Sequence, residues 1–212
     1  MTALARALTA VAAALLTAGC VSVVGGTAVR SVPGIDEDSR SPVDIDTVLL
    51  EPAQMQAITG AGEDLTIIPT MDGKIPVDIE SLMEPMPTPC RWLFAESQTF
   101  GEEVEEFHKT TFQNPTDGGL VSQGAAGYRD APTARRAFDG LVAQADGCGA
   151  SDYGQAYIGE WTATADALKI RPGDCGRDYR LKSAVLVEVT FCGFTESVPG
   201  IVMTNILAQV PG

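Results

Sequence analysis

"GLVSQGAAGYRDAPTARRAFDGLVAQADGC", residues 119–148, changes its hydrophobic period at Tyr128-Arg129. Before that point, residues 119–128 read as a strand. After it comes the clearest helix in the chain. Asp130 is placed to cap the first turn, and Pro132 sits where its missing N–H leaves no bond unmade. Ala134, Ala137, Phe138, Leu141, Val142 and Ala145 fall at three- and four-residue spacing, so one face packs on a core. Gly147 reads as the end of the helix, and Cys148 follows at once, fixing that end covalently.

Working toward the C-terminus, "AYIGEWTATADALKI" (156–170) reads as two strands around Ala165-Asp166. "DYRLKSAVLVEVTFCGF" (178–194) is the strongest strand signal. At period two, Val185, Val187, Val189 and Phe191 share one face; Lys182, Glu188 and Thr190 share the other. In "SVPGIVMTNILAQV" (197–210), Ile201, Val202, Asn205, Ile206 and Ala208 suit an amphipathic last helix. Toward the N-terminus, 44–50 and 52–59 read as two short helices, with Glu51-Pro52 a helix start and Gly60 a stop. Residues 60–90 are rich in Gly, Pro and Met and read as extended; the prolines of "MEPMPTPC" (83–90) argue against a regular element. Residues 91–112 are ambiguous, "GEEVEEFH" (101–108) fitting an acidic helix face or an irregular strand. Helices at both ends with strands grouped late predict an α+β fold, a mostly antiparallel sheet with helices packed on one face.

The first nineteen residues stand apart. Arg6 precedes an uncharged run from Ala7 to Ala18, too short for an ordinary membrane-spanning helix, which needs about 20 apolar residues. It fits a secretory signal. Ala18-Gly19 leads directly into Cys20, a pattern that resembles a bacterial lipobox, although Thr17 stands where Leu is usual. Residues 1–19 are therefore expected to be a lipoprotein signal peptide and Cys20 the lipidated first residue, carrying palmitate-type acyl chains. Residues 20–42 read as a tether rich in Gly, Ser, Pro and acidic side chains. Asp36 and Asp38 lack the further ligands of a calcium loop. Residues 43–212 suit one domain with a substantial core.

With Cys20 set aside, four of the five cysteines remain. Cys90, Cys148, Cys175 and Cys192 are expected to form two disulfides in an oxidising compartment. No pair has the close spacing usual in zinc sites. Four cysteines allow three connectivities, and spacing alone does not choose. Cys175 and Cys192 bracket a short strand, so a bridge between them closes a local loop; this leaves Cys90 for Cys148. On the chain-entropy model the loops contribute about 3 and about 4 kcal/mol.

Charge narrows the partners. The formal net charge is −14, and loss of Arg6 with the signal makes it one unit more negative. Nucleic acid, which demands Lys and Arg, is a poor partner. Anionic lipid heads would repel the chain, so membrane attachment rests on acyl chains at Cys20.

Motifs for catalysis are weak. His108 is the single histidine. Glu105 and His108 make one Glu-x-x-His pair, whereas a di-iron bundle needs two. Ser122 in "GLVSQG" misses G-x-S-x-G because Leu120 lies two residues before it. Gly60-Ala61-Gly62 lacks the third glycine of a nucleotide loop. Glu102, Glu103, Glu105 and Glu106 read as a solvated acidic run. The expectation is no enzyme, no cofactor and no metal.

The stretch 121–148, Trp161 in "GEWTATA", "CGRDYRLKSAVLVEVTFC" (175–192) and a short C-terminal helix together resemble the PknH-like extracellular sensor domain, found on certain mycobacterial receptor kinases and on related lipoproteins. The resemblance spans residues 43–212. It implies a twisted antiparallel sheet with helices packed against it, a cleft, and disulfides pairing first with second and third with fourth. The family often has a tryptophan shortly before the position of Cys148; here Ala145-Asp146-Gly147 stands there. No kinase domain follows, so the expectation is a stand-alone module anchored on the extracytoplasmic face of the cell membrane. Its cleft would bind a small or lipidic ligand. The alternative is a protein-interaction lipoprotein accessory to an envelope complex or receptor kinase. Trp92, Trp161 and Tyr128 are the aromatic candidates for a cleft wall, each equally suited to the core. Labelled palmitate should be incorporated by the intact chain in its native envelope, and Cys20→Ala should abolish the label.

Overall fold

The computed structural model describes residues 41–79, 81 and 86–212. The signal segment, Cys20, Asp36 and Asp38 lie outside the described residues. Seven strands form one sheet: β1 (Thr66–Gly73), β2 (Glu106–Asn114), β3 (Gly119–Gly127), β4 (Glu160–Ala163), β5 (Ala167–Arg171), β6 (Cys175–Lys182) and β7 (Val185–Cys192). Their spatial order is β1-β2-β3-β7-β6-β5-β4, and every neighbouring pair is antiparallel. The helices are α1 (Pro52–Thr59), α2 (Glu96–Phe100), α3 (Ala131–Gly149), α4 (Asp152–Ile158) and α5 (Ser197–Gln209), with 3-10 turns at Ile45–Thr47, Gly62–Asp64 and Thr88–Phe94.

The α+β class and the antiparallel sheet are as expected, and helices cover the second face of the sheet as well as the first. On one face Val121, Ala125, Val185, Val187, Val189 and Phe191 pack with Met55 of α1 and Val202, Met203 and Ile206 of α5. On the other, Phe107, Ala126, Leu168, Ile170, Tyr179 and Leu186 pack with Trp92 and with Phe138, Leu141 and Ala145 of α3. The period-two alternation of β7 thus feeds two cores at once. Cys90 is bonded to Cys148 (2.04 Å) and Cys175 to Cys192 (2.00 Å).

Several boundaries differ from the sequence reading, each for a local reason. Residues 178–194 are two strands of a hairpin, with Ser183 in the left-handed region at φ 53°; no Gly or Pro marks that turn. Ala156-Tyr157-Ile158 belongs to α4, whose cap is the Ser151 hydroxyl accepting from Gly154 N–H. Gly154 lets α4 sit against the end of α3, since a Cβ there would lie 1.8 Å from the Cys148 carbonyl oxygen. The main helix is capped by Asp130, as expected, but runs through Gly147 to Gly149. Only Ile45–Thr47 of the expected 44–50 helix is helical. The Gln123 side chain takes up both the N–H (2.8 Å) and the carbonyl (2.7 Å) of Leu50. Within 60–90, β1 is a true edge strand, bulged between Ile67 and Asp72, where Pro69 costs no ladder bond. Thr88–Phe94 forms a 3-10 helix because Pro89 occupies its first turn. In α5, Val202 and Ile206 of the expected face are buried, joined by Val198, Pro199 and Met203, whereas Ile201, Asn205 and Ala208 face outward.

Phe138→Ala should lower unfolding free energy in urea by about 3–5 kcal/mol through the cavity it opens. Asp130→Ala should lower the urea midpoint by a smaller amount, because it removes the side-chain cap on the Thr133 N–H.

Candidate functional site

Glu188 lies in the middle of β7 between Val187 and Val189, and is only 1% exposed. Strand register explains how its charge is tolerated. Glu188 is opposite Gly124 of β3, which is opposite Lys109 of β2. The Lys109 side chain passes over Gly124; a Cβ there would meet Lys109 Cγ at 3.3 Å. Lys109 Nζ thereby reaches Glu188 Oε1 at 3.1 Å and Glu96 Oε1 at 2.9 Å. Thr190 Oγ1 donates to the same Glu188 oxygen at 2.6 Å. Arg177 of β6 is opposite Thr190. It donates to the Leu93 carbonyl at 2.7 Å and stands 5.9 Å from the Phe94 ring centre.

Burial by itself would raise the Glu188 carboxyl, but Lys109 and Arg177 outweigh it and hold the group below its ordinary range. Burial likewise opposes the Lys109 ammonium, and Glu188 and Glu96 reverse the balance and push it up. Arg177 follows the same pattern, with Tyr179, Glu188 and Glu96 offsetting burial. This network is the floor of a cleft.

The wall opposite is residues 75–79. This strap runs antiparallel to 94–97 through a bridge between Asp78 and Ala95. Ile79 N–H donates to the Phe94 carbonyl (2.8 Å) and Val77 N–H to Glu96 Oε2 (2.8 Å). Ser97 N–H donates to Asp78 Oδ1 at 2.9 Å. Ile75, Val77 and Ile79 alternate along the strap and remain 76%, 57% and 44% exposed. With Met71, Leu93, Phe94 and Phe107 they line a cleft of about 440 Å³ whose polar floor is Thr111, Lys109, Arg177, Glu96 and Glu188. Apolar walls with a few convergent polar groups are the usual composition of a small-molecule site.

A larger open cleft, about 630 Å³, lies nearby, bounded by Asp46, Lys74, Glu102, Glu105 and Glu106. Glu103 is bound to Arg129 (2.5 Å) and Arg136 (3.0 Å). Among the described residues no group of three or more His, Cys, Asp or Glu side chains is arranged to hold a metal. His108 has Nδ1 at 2.8 Å from Asp46 Oδ1 and Nε2 at 3.0 Å from Asp72 Oδ1. Its bond to Asp72, opposed by burial and helped by Thr110, keeps that carboxyl below its ordinary range. Ser122 is buried and shares a 2.7 Å hydrogen bond with Thr111.

None of the three aromatic candidates lines the 440 Å³ cleft. Trp92 is buried 6.5 Å from the Tyr179 ring. Tyr128 is buried and donates to the Phe100 carbonyl at 2.6 Å. Trp161 packs at the edge of the same core. Sequence reasoning missed Lys109, Glu96 and Arg177, and placed Glu188 on the same strand face as Lys182. The hairpin turn puts Lys182, paired with Val185, on the opposite face from Glu188. The available signal was a carboxylate embedded between valines in the most apolar strand.

A family model described as the PknH-like extracellular domain matches residues 41–210. The chain belongs to this family. A solved structure, the crystal structure of the extracellular domain of PknH from Mycobacterium tuberculosis, is similar in fold, with a TM-score of 0.54. The identity is 12%, covering 78% of this chain and 93% of that one. No curated protein matches. Among the described residues of this PknH-like domain, no helix is long and apolar enough to cross a membrane.

Because Glu188 is held low in the folded domain, it adds stability above the ordinary carboxylate range, and that contribution is lost as pH falls through the folded value. Glu188→Gln should therefore cost about 3–5 kcal/mol at neutral pH, leaving Lys109 and Arg177 under-compensated. The gap to wild type in urea unfolding should narrow as pH is lowered.

Proposed function

We propose that this PknH-like domain is a lipid-anchored binding module on the extracytoplasmic face of the membrane, taking a small or lipidic ligand in the cleft beneath residues 75–79. The observation that carries this reading is an apolar-walled cleft closed below by the buried Lys109–Glu188 network. A folded domain keeps such apolar side chains as Ile75 and Val77 at the surface for a partner more often than for stability. The anchor is Cys20, on the strength of the Ala18-Gly19-Cys20 sequence.

The role is binding, not catalysis. His108 is engaged by two carboxylates, and Ser122 by Thr111, so neither side chain is arranged as half of a nucleophile–base pair. The exposed strap also favours a second reading, in which the same apolar residues dock an envelope protein and no small ligand is involved.

Native mass spectrometry of gently purified protein distinguishes these readings. A discrete adduct that disappears on denaturation, and is lost in Val77→Asp, is the expected result. A clean unliganded mass from envelope-derived material would contradict the cleft reading and favour protein docking.

A further inference from the structure

Resting on that reading of the cleft, we infer that its ligand is an uncharged lipid-like molecule, an apolar body bearing a hydroxyl or ester-carbonyl head, and not a fatty acid or other anion. The argument begins with charge. Two cations on the floor, Lys109 and Arg177, face two carboxylates, Glu96 and Glu188, and the set is balanced. A third carboxylate, Asp72, stands at the rim, hydrogen-bonded by His108 and Thr110. An anionic head entering this cleft would meet no surplus cation. It would be desolvated beside two carboxylates, at a cost that only a paired countercharge recovers. The net charge of −14 opposes its approach as well. A cationic head would have to displace Lys109 from its paired carboxylates.

Hydrogen bonding gives the head its polarity. Both Glu96 oxygens are engaged, Oε1 by Lys109 and Oε2 by Val77 N–H. Glu188 Oε1 receives both Lys109 and Thr190. An ammonium carries three N–H donors. Those of Lys109 serve Glu96 and Glu188, and among the described residues Nζ makes no hydrogen bond to a third acceptor. The floor thus offers a donor, and the complementary group is a neutral oxygen acceptor. The walls supply the remainder: Ile75, Val77 and Ile79 present exposed hydrocarbon along one side of the strap, and covering it is favourable by about 25 cal/mol per Å².

The test compares two probes of equal chain length, 1-monooctanoylglycerol (uncharged) and octanoate (a carboxylate), each below its micelle concentration. Both are titrated calorimetrically into the purified protein at neutral pH. The expected result is a preference of about tenfold or more for the glycerol ester, with Val77→Asp abolishing its binding. Glu96→Gln, which leaves a surplus cation on the floor while retaining an acceptor, should raise octanoate affinity about tenfold and erase the preference. Octanoate binding as tightly as the ester to wild type, with loss in Val77→Asp, would overturn the neutral-ligand inference and leave the cleft standing as a binding site. The same holds if neither probe binds while a Val77-dependent native adduct persists. Absence of both probe binding and adduct would remove the inference and the binding reading together.

Discussion

A carboxylate buried at the centre of a sheet sets the terms for the half of this domain that holds the cleft. Glu188 has valines on both sides in sequence, and those valines fill the core on the opposite face. An unpaired charge there would neutralise itself or unfold the strand. It stays ionised because Lys109 crosses β3 to meet it, and Lys109 can cross because Gly124 has no side chain. Lys109 in turn holds Glu96, and Glu96 holds the strap through Val77 N–H. A chain of short-range contacts thus runs from the middle of the sheet to the outermost wall of the cleft.

The two faces of the sheet serve different ends. One is sealed by α1, α5 and the segment 43–50, where the Gln123 side chain substitutes for a strand partner. The other is apolar near α3 and becomes polar toward β1, where the edge strand bulges away and the cleft opens. The Cys90–Cys148 disulfide connects these regions. It fixes the 3-10 segment Thr88–Phe94 to α3, and that segment supplies the Leu93 carbonyl for Arg177 and the Phe94 carbonyl for Ile79. The covalent framework therefore positions the site as well as limiting the unfolded chain.

Legibility in the sequence followed the range of the interactions. The strand at 119–127, the helix after Asp130 and the class of fold depend on local period and capping, and were readable. Elements with weak local signals were not. β1 is a bulged edge strand whose side chains are largely exposed, so it shows no alternation. The hairpin at Ser183 uses a left-handed serine where glycine would have announced the turn. The site was the least legible part. Glu96, Lys109, Arg177 and Glu188 lie on four separate elements; the last three are brought together by register across β2, β3, β7 and β6, and Glu96 reaches Lys109 from α2. A single residue of slip would send each of those strand side chains to the other face. Only the carboxylate inside "VLVEVTF" hinted at a buried charge.

The most direct measurement is hydrogen–deuterium exchange at the Val77 and Ile79 amides, which donate to Glu96 and Phe94, with and without envelope lipid extract. A ligand seated beneath the strap should slow exchange at both amides, because opening the strap would then also expel the ligand. Unchanged exchange there, with protection appearing elsewhere on the domain, would contradict the assignment of this cleft as the binding site.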